Sequence, residues 1–144
     1  MTNLKQEQPK SLQEAIDIIV KGLTQSEIEF IKTHDASSVH HYAGMKMRND
    51  WSLWDLKTPL VKDIQTRFGL FGHGDDCSGL IHAGIWATVR GQNVEKALKE
   101  EAEYYTQHWI RSGLDPKTGK EIKGFKKGNF NMVVVQKGKR PKII

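Results

Sequence analysis

The chain has 144 residues, of which 38% are apolar and 8% aromatic, with 22 Lys plus Arg against 17 Asp plus Glu and one cysteine. That length supports one compact domain, or one domain with an appendage, and a single cysteine excludes both an internal disulfide and a cysteine-rich zinc site. No apolar run approaches the roughly 20 residues needed to cross a bilayer, and the polar start MTNLKQEQPK lacks a secretory hydrophobic stretch, so a soluble protein of the cytoplasm without membrane contact is expected.

Residues 1–10 read as a flexible N-terminus. Ser11-Leu12-Gln13-Glu14 then has capping-box spacing, and Leu12, Ala15, Ile16, Ile19, Val20 and Leu23 recur at helical intervals, which predicts a first helix over about 12–23. Thr24-Gln25-Ser26-Glu27 repeats the signal and opens a short second helix that fades near His34. Asp35, Ser37 and Ser38 can cap a third that runs to about Asn49. Thr58-Pro59 starts a fourth, since proline at the first helical position gives up only a donor that would be unpaired, and Gly69 stops it. Asp75 and Asp76 give an acidic entry to a fifth helix, with Cys77, Leu80, Ile81, Gly84, Ile85 and Val89 inward and Gly91 closing it. Asn93 caps a sixth that ends before Gly113.

The fold class that follows is mainly α: a compact domain of about six helices over 11–112, with a basic C-terminal β-hairpin or extended tail over 113–144. The hairpin is expected to pair Lys120–Phe125 with the β-branched run inside Phe130–Gln136. This segment holds nine basic side chains and two acids, +7, against −2 for the preceding residues. Lys120, Lys123, Lys126, Lys127, Lys137, Lys139, Arg140 and Lys142 are thus candidates for nucleic-acid contact, because polyanions release counterions when cations approach. A solubilising charged tail accounts for the same composition.

Two stretches concentrate polar residues among aromatics. On a helix His40, Gly44 and Arg48 share a stripe; Asn49, Trp51 and Trp54 follow, and His73, Asp75 and Asp76 form the second group. The pattern His40-x-x-x-Gly44-x-x-x-Arg48-Asn49-x-Trp51-x-Leu53-Trp54, followed by His73-x-Asp75-Asp76-x-Ser78-Gly79, resembles a small uncharacterised helical domain family of bacteria and their phages, over about residues 11–107. The resemblance implies a helical fold and a bacterial or phage setting, and supplies no catalytic residues. Gly74 stands where that pattern has proline.

Each candidate has a functional and a structural reading. His40, Arg48, His73, Asp75 and Asp76 include a general base, carboxylates and a phosphate-binding arginine, the parts of a metal-assisted phosphodiesterase or nucleotide hydrolase. Structure explains them as well: Asp75 or Asp76 with Ser78 can cap a helix, which outweighs metal ligation, and Arg48 can pair with an aspartate to clasp the two motifs. His40 reads foremost as an interior histidine, and Trp51 and Trp54 as core anchors before a stacking platform. Arg48, Asn49, Trp51, Trp54 and His73 are the candidate ligand-binding set, and neither a metal nor a cofactor is assigned. The favoured expectation is a non-catalytic bacterial or phage accessory binding protein whose body recognises a host or phage protein and whose tail engages nucleic acid, ribonucleoprotein or another acidic surface. The alternatives are the hydrolase and a phage inhibitor that sequesters a host protein or a nucleotide signal.

Overall fold

The computed structural model describes residues 8–36 and 40–124, the side chains of 40–43 excepted, together with the backbone at 133–134 and 142–143. Among the described residues six helices follow one another: α1 (Leu12–Lys21), α2 (Gln25–Thr33), α3 (His40–Asp50), α4 (Pro59–Phe68), α5 (Gly74–Val89) and α6 (Val94–Arg111). Most begin where local chemistry says they should. Ser11 Oγ accepts the Glu14 N–H, Thr24 and Glu27 form a reciprocal capping box, Thr58 accepts from Val61 N with Pro59 behind it, and Asn93 accepts from Lys96 N. One further cap is non-local: the Leu12 N–H donates to Asp63 Oδ2 at 2.8 Å, which ties the start of α1 to α4.

α5 is the axis of the molecule, in contact with α1, α2, α3 and α6. The sequence pattern assigns it one inward stripe, but burial runs around most of the helix and takes in Asp76, Ser78, His82 and Trp86 as well as Cys77, Leu80, Ile81 and Ile85. A helix buried around most of its circumference, with Asp75 and Thr88 exposed, has no single apolar face. Close approach is part of how this is achieved, since a methyl group at Gly79 would coincide with the Tyr105 hydroxyl of α6. The core itself joins Leu12 and Ile16 of α1, Leu60, Val61 and Ile64 of α4, Leu98 of α6 and the apolar residues of α5.

After α6 the chain turns back. Gly113 O accepts from Ile122 N, Leu114 and Glu121 form an isolated antiparallel bridge, and Pro116 O accepts the Phe71 N–H at 2.8 Å, so residues 113–122 lie on the α4–α5 connection. Glu121 therefore faces Leu114 and not the later β-branched run. Val133–Val134 (β1) pairs antiparallel with Lys142–Ile143 (β2), a different partner from the expected Lys120–Phe125. The remainder of that expected hairpin, like the Ser37 and Ser38 caps, lies outside the described residues.

Candidate functional site

The start of α5 gathers side chains from three parts of the chain. His73 is the N-cap: its Nδ1 accepts the Asp75 N–H at 3.1 Å. Capping by Asp75 or Asp76 is the expectation that this replaces. Both carboxylates are drawn elsewhere. Arg48 on α3, 8% exposed, donates from Nη1 to Ser78 Oγ at 3.0 Å and lies 3.4 Å from Asp75 Oδ1. Ser78 Oγ in turn donates to Asp75 O at 3.0 Å. The clasp between the two motifs is thus an Arg48–Asp75 pair with a hydroxyl bridging it, and it fixes α3 against α5.

Asp76 turns the other way. It is buried, and its Oδ2 accepts the Trp109 indole N–H of α6 at 2.7 Å. Burial pushes its carboxyl up to about 6; the Trp109 bond and nearby His73 act against that, while Asp75 and Glu101 add to it. Cys77 beside it has its thiol pushed up to about 12, first by burial and then by the Asp76 charge, and donates to Gly72 O. It is a small core residue and not a poised nucleophile.

The rings form a connected cluster around His73. Trp54 meets it edge-on at 5.1 Å, Trp109 lies 5.3 Å away, Phe71 lies 6.2 Å away, and Phe71 and Trp109 meet each other at 5.0 Å. His108 stands edge-on to Trp109, and burial, Arg111 and His73 together lower its pKa from the ordinary histidine value. The two tryptophans of the first motif separate here: Trp51 is 2% exposed and belongs to the core, whereas Trp54 is 53% exposed. Three consecutive atoms of the Trp54 six-membered ring lie 2.7–2.9 Å from where a Gly74 methyl would be. Near-equal distances to consecutive atoms place the ring flat over that glycine, so Gly74 seats the indole and any side chain there would displace it.

The arrangement brings Arg48, Trp54, His73 and Asp75 together and sends Asp76 to α6. Asn49 is exposed on α3, Lys120 and Lys123 are exposed, and the His40 side chain with Lys126, Lys127, Lys137, Lys139 and Arg140 lies outside the described residues, as does the Lys142 side chain. Among the described residues no group of three or more His, Cys, Asp or Glu is placed to hold a metal ion. Phe71 lies in the second of the two aromatic-rich stretches without being a candidate itself, and Trp109 reads from the sequence as a core residue; their contact crosses from the α4–α5 connection to α6.

No helix of the described residues is long and apolar enough to cross a membrane. No curated protein and no solved structure matches the chain. Residues 8–88 match a family described as Domain of unknown function (DUF6794), a span that runs from the segment before α1 almost to the end of α5. The chain belongs to that family of domains of unknown function.

Proposed function

We propose that the protein is a non-catalytic binding protein: a helical body that recognises a partner, with a basic C-terminal segment that engages nucleic acid. The observation that carries this is the division of charge. Residues 125–144 contain six basic side chains and no acidic one, following a body in which the first 112 residues sum to −2. A cationic stretch of this kind binds polyanions by releasing their counterions, without needing a shaped pocket. The polar groups at the start of α5 support the non-catalytic half of the reading. Arg48, Asp75 and Ser78 satisfy one another, Asp76 is engaged by Trp109, and His73 Nδ1 serves as a helix cap. A base or nucleophile has to reach a substrate atom, and Arg48, Ser78 and Asp76 are buried and engaged in holding helices together, while Asp75 and in part His73 face solvent.

The test is charge reversal in the full chain, with Lys126, Lys127, Lys139 and Arg140 all replaced by Glu. Affinity for a mixed-sequence oligonucleotide, read by fluorescence anisotropy at low salt, is expected to fall by more than about tenfold, since each lost phosphate contact removes a counterion-release contribution. Unchanged affinity would remove the basis of the proposal.

A further inference from the structure

We propose that the outer face of Trp54 is a stacking platform for an unpaired base, so that the polyanion is single-stranded nucleic acid. The inference rests on the reading above and narrows it. One face of the indole covers Gly74 and its flank meets the His73 ring at 81°, yet the residue remains 53% exposed. Solvent therefore meets the opposite face of a ring whose position is already fixed from two sides. A pre-positioned aromatic face loses little conformational freedom when a base stacks on it.

Cations approach the same end of the molecule. Gly119 lies against the Phe71 ring, a methyl there falling 3.1–3.2 Å from three of its atoms, and Phe71 neighbours His73, which neighbours Trp54. The basic turn that carries Lys117, Lys120 and Lys123, all exposed, is thus seated one ring away from the His73–Trp54 pair. Asp115 and Glu121 share that turn with its three lysines, leaving it at +1, and of the acids nearer Trp54, Asp75 pairs with Arg48, Asp76 is buried and Asp55 is exposed. An aromatic face near a turn with three exposed lysines matches a strand that offers a free base face and phosphates together; a duplex offers the phosphates but keeps its base faces stacked internally.

The experiment compares an oligothymidylate of about 20 nucleotides with a duplex of the same length, by anisotropy, on the full chain and its Trp54→Ala and Trp54→Phe variants, because stacking and charge contribute separately. Trp54→Ala is expected to weaken single-strand binding about tenfold and duplex binding less than about twofold, and Trp54→Phe to keep most of the single-strand affinity. Quenching of the indole emission by the oligothymidylate supplies a second readout, expected in the natural protein and largely lost in Trp54→Phe. Unchanged single-strand binding in Trp54→Ala, an equal loss on both ligands, or no quenching in the natural protein would overturn the platform. Those results leave the charge-reversal test standing, whereas failure of charge reversal removes the polyanion reading whatever Trp54 does.

Discussion

Asp76 shows how one buried carboxylate couples the site to the stability of the fold. Its folded pKa, about 6, lies above the ordinary 3.8, so between those values the native state binds more protons than the unfolded chain. The sign follows. The contribution of this group is fully favourable below about pH 3.8 and is lost as pH rises through about 6, so the ionised carboxylate weighs against the fold at neutral pH by roughly 2–3 kcal/mol. Asp76→Asn keeps an acceptor for Trp109 and removes the charge. Its unfolding free energy relative to the natural protein is expected to improve as pH rises from about 4 to 7, followed by denaturant titration at several pH values. A constant difference across that range would mean that Asp76 is not the buried titrating group described here.

At the scale of elements, the start of α5 depends on a histidine doing what serine, threonine or aspartate usually does. His73→Ala removes the acceptor for the Asp75 N–H and is expected to cost about 1 kcal/mol in urea unfolding, while His73→Asn retains a cap and recovers most of it. Loss in both variants to the same extent would place the contribution of His73 in its ring contacts instead. The reason this cap was not legible in the sequence is physical. Asp75 and Asp76 have the better intrinsic preference, but Arg48 from α3 and Trp109 from α6 claim their oxygens, and neither partner lies within local spacing. The caps that depend only on neighbours, at Ser11, Thr24, Thr58 and Asn93, were all legible, and so were the helices they open. The first helix ends at Lys21, two residues short of the expected limit, with Gly22 donating back to Ile19 and Val20 as the chain turns into α2. The enclosure of α5 was only half legible, because its apolar residues show an inward stripe while the burial of His82, Ser78 and Asp76 is decided by which helices surround it.

For the whole molecule, the match to the family ends at residue 88, yet the site at the start of α5 is completed by Trp109 and by Gly119 beyond it. The family portion supplies Arg48, Trp54, Phe71, His73, Asp75 and Asp76; the later portion supplies the indole that engages Asp76, the turn that covers Phe71, and the cations. The candidate clasp of Arg48 to an aspartate was legible as a pairing of two motifs, and the division of charge was legible from composition alone. The meeting of the basic turn with the aromatic cluster was not, since it depends on Pro116 O reaching the Phe71 N–H across 45 positions of chain. Together they place the aromatic edge of the body at the root of the cationic segment.

The measurement that tests this account most directly is the salt dependence of oligonucleotide binding by the full chain. A cationic segment that contacts about five phosphates on a single strand predicts a linear fall of log affinity with log salt concentration, amounting to about 100-fold between roughly 50 and 200 mM. Binding that is absent at low salt, or that is unchanged across that range, would contradict it.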